Sequence, residues 1–367
     1  MDRLMESSLT LDRRAAEAPA VSTRVAGERI ADDRAMLRAA AELTRDILAH
    51  RPVIYWADLI ASTVVGYAAF AATVLAPGGW AVLAGVISVL ALYRAGSFIH
   101  ELTHFKPSAV PGFHVAWNAL AGIPLLVPSF MYEGVHNLHH ARTRYGTAED
   151  PEYLPLALMK PWTLPLFIIV SALAPIALLF RYAVLTPLSV IPAVRRLVVE
   201  RYSSLSINPS FRRRLPEGSA RLQWLSQEVV ASIWAIALVA MVVTGIVPVR
   251  VFLIGLSIAS AVMVINQVRT LVAHLWENEG EAMTVTAQYL DTVNVPPPAL
   301  LPMLWAPVGL RYHALHHLLP GLPYHALGEA HRRISAALDA ESPYHKASYP
   351  GLPGLVAKIA RSTMVAR

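Results

Sequence analysis

The chain has 367 residues, 55% hydrophobic and 15% charged, with a mean hydropathy of +0.46, a balance that excludes an ordinary soluble domain. Its net charge of +6 would suit a nucleic-acid partner, but the arginines gather between apolar runs, where the positive bias of cytoplasmic loops accounts for them, so no nucleic-acid role is expected. Cysteine is absent, which excludes disulfides, thiolate-bound zinc and a built-in iron–sulfur carrier.

Residues 1–52 read as a cytoplasmic N-terminal segment. Asp2, Glu6, Asp12 and Glu17 leave its first part without the apolar core of a secretory signal peptide. From Arg29 to His50, Ile30, Leu37, Leu43 and Ile47 share one face and Arg34, Arg38, Glu42 and Arg45 the others. That pattern predicts an amphipathic helix, lying on the membrane surface or packed on the cytoplasmic part of the protein.

Two runs, 53–76 and 80–99, are long enough to cross a hydrocarbon core of about 30 Å and are joined by the turn Pro77-Gly78-Gly79. Val110 to Met131 is apolar but broken by Pro111, Gly112, Gly122, Pro124 and Pro128, so a re-entrant or broken element is expected there. Trp162 to Leu188, split by Pro165, Pro175 and Pro187 and carrying Arg181, is read as interfacial or re-entrant. A basic stretch from Arg195 to Arg221 follows, and then a second hairpin of spans 228–247 and 251–272, joined by Pro248-Val249-Arg250. The expected fold is all-α and polytopic. Four transmembrane helices in two hairpins support a cytoplasmic helical cap, residues 100–227 and 273–367, that holds the site; residues 53–367 form one membrane domain.

Histidine carries the chemistry. Three stretches read His100-Glu-Leu-Thr-His104, His136-Asn-Leu-His139-His140 and His313-Ala-Leu-His316-His317, and His274 closes the last apolar run. On a helix, positions i, i+3 and i+4 share a face, so each stretch aims its imidazoles at a common point. Neutral imidazole ligates iron, zinc and copper. Nine ligands exceed what one ion accepts, which makes two ions the economical count. For the three stretches to meet, an even number of crossings must separate them, since residues on opposite faces of the bilayer cannot share a site. His114, His325, His331 and His345 lack such company and are expected to be structural. Asp150 and Asn266 are the candidates for supporting the ligands from behind; no catalytic residue beyond the metal centre is expected.

His100-Glu-Leu-Thr-His104 also fits HExxH, in which two histidines hold zinc and the glutamate is a general base. A membrane metalloprotease would leave six histidines without a role. A metal transporter would need ionisable residues through the membrane interior, and the four spans offer few beyond Asp58 and Arg94.

The set HxxxH, HxxHH and HxxHH, the last continuing as His317-Leu-Leu-Pro320-Gly-Leu-Pro323, resembles the integral-membrane fatty-acid desaturase and hydroxylase superfamily over roughly residues 53–338. The resemblance implies a non-haem di-iron centre that uses O2 as co-substrate, with His100, His104, His136, His139, His140, His313, His316 and His317 as ligands. In the acyl-CoA desaturase branch an extra ligand follows the last membrane helix, and His274 occupies that place. The asparagine that branch carries four residues earlier is Thr270 here, with Asn266 a helical turn further back. A fatty-acyl or other lipid substrate is implied, as is a bacterial inner membrane with the site on the cytoplasmic side. With no cysteine and no His-Pro-Gly-Gly haem motif, electrons are expected from a separate ferredoxin, rubredoxin or cytochrome b5 type of protein. Loss of two neighbouring hydrogens gives a double bond and insertion of oxygen gives an alcohol. The favoured expectation is a desaturase, with hydroxylation or alkene-forming decarboxylation as the alternatives.

Overall fold

Hydrophobic runs fold into the only spanning element a bilayer tolerates here, the helix, because it satisfies its own backbone hydrogen bonds. The computed structural model describes residues 30–156, 159–160 and 162–361, and these are helical with isolated bridges in place of strands. The expectation for the extreme N-terminus lies outside the described residues.

Helix α1 (Arg34–Leu43) starts at Asp33, whose carboxylate accepts the N–H groups of Ala35 and Met36. Helices α2 (Pro52–Leu75) and α3 (Gly78–Leu102) form the first hairpin. Their close approach needs Gly66: a Cβ there would come within 2.6 Å of Leu92 Cδ2, and the Ser88 hydroxyl reaches the Gly66 carbonyl at 2.9 Å. The expected break follows as α4 (Phe113–Trp117), a π turn over Asn118–Gly122 and a 3-10 turn at Ser129–Met131. Helix α5 (His136–His139) is a single turn.

Helix α6 (Thr163–Phe180) runs on through a π turn, Arg181–Leu185, and is followed by α7 (Pro192–Arg201). Helices α8 (Gly218–Val243) and α9 (Val249–Leu271) form the second hairpin. Helix α8 starts ten residues before its apolar run because Trp224, stacked on Phe130, gives its polar first turns a buried face. The rest comprises α10 (Val285–Leu290), α11 (Pro302–Trp305), α12 (His313–Leu318) and α13 (Leu327–Ala337), then two short helices.

Among the described residues, five helices are long and apolar enough to cross a membrane, against the four expected: Pro52–Leu75, Gly78–Leu102, Thr163–Leu185, Gly218–Val243 and Val249–Leu271. They expose apolar side chains such as Val53, Val64, Ile169, Ile233 and Val243, a surface suited to lipid. The addition is the segment read as broken. Pro165 falls in its first turn, where no N–H partner is needed, and Pro175 is accommodated inside the helix. Both ends of this excursion are nonetheless tied to one place: the Leu205 N–H donates to the Met131 carbonyl, and those of Ile207 and Asn208 to the Pro151 carbonyl, each at 3.0 Å. However deep α6 reaches, the chain returns to the face it left.

Of the two readings for the amphipathic N-terminal stretch, the structure has α1 packed on protein. Met36 and Ala40 lie buried with Leu327, Ala330 and Ile334 of α13, and Asp46 accepts from Arg333 at 2.6 Å.

Candidate metal centre

The first histidine pair lies at the end of α3, one helical turn apart. His136 and His140 repeat that spacing across α5, as do His313 and His317 along α12. Helix α12 is fixed at its start by Asn294, whose side-chain oxygen accepts the Leu315 N–H at 3.1 Å. His274 lies just past α9, held by backbone pairing with the segment at Thr292: Val293 N–H to Ala273 O at 3.0 Å and Leu275 N–H to Asp291 O at 2.8 Å.

All nine histidines converge, in two groups. His100, His104, His136, His140 and His316 form one, and His139, His274, His313 and His317 the other; within each, one nitrogen per ring lies within 4.8 Å of the rest. Each HxxHH stretch contributes to both groups, because i+3 and i+4 flank one face and point to either side of it. Nitrogens approach as bare pairs: His136 Nε2 to His140 Nε2 at 3.0 Å, His140 Nε2 to His316 Nε2 at 3.1 Å and His274 Nε2 to His313 Nε2 at 3.0 Å. Both His100 nitrogens and His104 Nε2 are buried without a partner. Burial pushes His104 down to about 3 and holds His136, His140, His274, His313, His316 and His317 well below the ordinary imidazole value. Neutral, converging and unsatisfied imidazoles are a donor set that fits metal cations.

Carboxylates and phenols stand behind several rings. Asp150, wholly buried, lies 2.9 and 3.0 Å from His139 Nδ1 and also accepts the N–H groups of Gly146 and Glu152 at 2.9 and 2.8 Å. Desolvation opposes a charge on His139, yet Asp150 and Glu152 raise it above its ordinary value. Glu152 accepts from the Tyr132 hydroxyl at 2.8 Å and faces His136 Nδ1 at 3.0 Å. The Tyr145 hydroxyl donates to Asp291 at 2.7 Å and faces His274 Nδ1 at 2.8 Å. Burial raises both Glu152 and Asp291 to about 7. Such partners fix the ring tautomer that leaves the other nitrogen free to ligate.

Of the two expected supporting residues, Asp150 is against a ring, whereas the Asn266 side chain accepts from Arg269 at 3.2 Å. Sequence reading missed Glu152, Tyr145, Tyr132 and Asp291. The run Glu149-Asp150-Pro151-Glu152 was a visible signal for the first; the others carry no local signature.

Glu101 points away from both groups. It accepts from the Tyr55 hydroxyl at 2.7 Å and the Tyr324 N–H at 3.2 Å, an arrangement that suits a structural carboxylate rather than the base of an HExxH protease. His114 faces the Leu102 carbonyl, His325 accepts from the Arg51 N–H and His331 faces the Tyr344 hydroxyl.

A cavity of about 120 Å³ opens beside His100, Tyr132 and Glu152. Its walls include Gly96, Ala121, Gly122, Leu125, Val262 and Met263, so it extends between membrane helices and is mainly apolar.

The family model described as fatty acid desaturase matches residues 75–349. A ceramide hydroxylase of Caulobacter vibrioides (strain NA1000 / CB15N) is 51% identical over 327 residues, covering 88% of this chain and 92% of that protein. The helices, the paired histidine groups and these matches lead to one conclusion: the chain belongs to the fatty acid desaturase family, and is a membrane oxidoreductase that uses oxygen.

Proposed function

We propose that the protein is a non-haem di-iron hydroxylase that inserts one oxygen atom from O2 into a C–H bond of a ceramide-type lipid. The observation that carries the iron site is the convergence of nine histidines, six of them buried and three half-buried, in two groups beside a mainly apolar cavity. The relative's activity moves the reading from the desaturation expected from sequence to hydroxylation.

His100, His104, His136, His140 and His316 would hold one iron, and His139, His274, His313 and His317 the other. When bound, the irons supply the oxidising power for an unactivated C–H bond, which no side chain has. The protein supplies position. Asp150, Glu152 and the Tyr145–Asp291 pair orient three rings from behind. The apolar part of the cavity wall between α3 and α9 would take an alkyl chain and keep water from the reacting carbon. A separate electron carrier is part of the proposal, as is a cytoplasmic site above four crossings, with α6 and α7 as an excursion from the same face.

The test is mass spectrometry of lipids from aerobic cells that contain ceramide and express the wild type or His316→Ala with a candidate electron donor. A ceramide gaining one oxygen, absent with His316→Ala, supports the proposal. A histidine-dependent product lighter by two hydrogens would return the reaction to desaturation.

A further inference from the structure

One cation stands beside the centre without a carboxylate of its own. Arg269 is 8% exposed, lies near the end of α9, and lines both the cavity that holds His100 and a small neighbouring pocket that holds His313. Its Nη2 donates to the Asn266 side-chain oxygen at 3.2 Å, while its Nε is buried with no hydrogen-bond partner. The Tyr93 hydroxyl donates to the Trp305 carbonyl at 2.8 Å and its oxygen faces the guanidinium as an acceptor, so Nε is the part of Arg269 left without a partner. Gln267, one residue before, also lines the cavity with a buried, unpartnered Nε2. The carboxylate in the same wall, Glu152, is engaged by Tyr132 and faces His136.

A buried donor without an acceptor costs about 1–3 kcal/mol, and more when charged, so two such donors on residues of one cavity wall mark where a ligand acceptor belongs. Asn266 and Thr270 flank them, and farther along the wall turns apolar at Val262, Met263, Ala121 and Leu125, which suits an alkyl chain interrupted by an acceptor-bearing linkage. Resting on the reading above, we propose that Arg269 and Gln267 bind the amide carbonyl of the ceramide-type substrate. Arg269 shares one pocket wall with His100 and another with His313, one from each histidine group. A carbonyl held there brings carbons close to the linkage, and not the far end of the chain, to the metal centre. The two residues therefore set both which lipid is accepted and which part of it is oxidised. A free fatty acid offers the same oxygen chemistry as a carboxylate, and the experiment separates the two.

The experiment uses the full-length protein in detergent and in cells. The probes are a ceramide, its neutral analogue with an O-alkyl ether in place of the N-acyl group, and palmitate as competitor. Lipid retention is measured by native mass spectrometry together with product formation and metal content. The wild type should retain ceramide at least about tenfold more tightly than the ether analogue, the scale of one charge-assisted hydrogen bond. Arg269→Gln should abolish most of that preference while keeping its metal, and raise KM more than it lowers kcat. Fragmentation should locate the added oxygen within a few bonds of the amide. Equal retention of ceramide and ether analogue by the wild type would overturn the assignment without needing any variant to fold. Palmitate displacing ceramide on equal terms would overturn the amide in favour of a carboxylate, and oxidation at the far end would refute the placement. A wild type that hydroxylates no ceramide, yet still prefers it to the ether analogue, refutes the proposed function and leaves the carbonyl site standing.

Discussion

Asp150→Asn perturbs one histidine group while leaving its rings in place. The Asp150 oxygens each serve two partners: Oδ1 faces His139 Nδ1 at 3.0 Å and accepts the Glu152 N–H at 2.8 Å, and Oδ2 faces the same ring nitrogen at 2.9 Å and accepts the Gly146 N–H at 2.9 Å. Whichever oxygen becomes an amide nitrogen, it points a donor at a backbone N–H that had an acceptor. One buried N–H left unsatisfied costs about 1–3 kcal/mol, and losing the charge on the bond to His139 adds about 1 kcal/mol, for roughly 3 kcal/mol in all. Part of that cost falls on metal affinity, where supporting residues are worth about 10- to 100-fold. The group containing His139, His274, His313 and His317 should therefore lose metal first. Titrating metal-stripped protein with Fe(II) under anaerobic conditions should give two equivalents for the wild type, and for Asp150→Asn one tight equivalent and one weakened by that factor. Glu149→Gln, a neighbouring change at a side chain 72% exposed, is the control and should titrate like the wild type. Two equally tight equivalents in Asp150→Asn would show that His139 needs no orienting carboxylate.

Glu101→Gln should keep product formation close to wild type, since a glutamine oxygen can still accept from Tyr55 and Tyr324, whereas loss of a general base would cost about 100-fold or more in turnover. Gly309→Ala should destabilise the fold by about 2 kcal/mol or more: φ is +72°, and the new Cβ would lie 2.6 Å from Leu327 Cδ1, as thermal unfolding in detergent can test. Acid should destabilise the metal-free protein. Burial pushes His104 down to about 3 and His331 to about 4 and lowers six further rings of the centre. The unfolded chain takes up protons near pH 6.5 while the folded rings stay neutral. Their stabilisation is thus full above that pH and falls as the pH drops toward 4, by about 1.4 kcal/mol per pH unit for each ring. His139, Glu152 and Asp291, all raised, act in the opposite sense, but three groups do not offset eight. Equal melting temperatures at pH 7.5 and pH 5 would contradict this.

The histidine clusters were legible because helical spacing is local. His100 and His104, or His313 and His317, face one way by spacing alone, and an apolar run of twenty residues predicts a membrane helix wherever it packs. Spacing could not say which rings converge. His139 parts from His136 and His140, and His316 from His313 and His317, because each group is assembled across separate stretches of chain. For the same reason the Tyr145–Asp291 pair behind His274 had no sequence signal: its residues lie 146 positions apart.

Periodicity likewise reports that a face is buried but not what buries it. The stripe at Met36 and Ala40 reads equally well against lipid or protein, and only packing puts it on α13. Prolines at 165 and 175 signal a broken segment, yet neighbouring elements hold Thr163–Phe180 as one helix. Arg269 could be read as the last basic residue of a membrane helix, a common interfacial anchor. Its burial beside His100 and His313, with a donor left over, exists only in the folded chain. The sequence by itself determined most of the element types and the clustering of the histidines, which depend on neighbours within a turn or two. The tertiary structure decided the pairing of rings, the carboxylates behind them and the lone cation in the cavity, because a buried polar group finds its partner among whatever folding brings near.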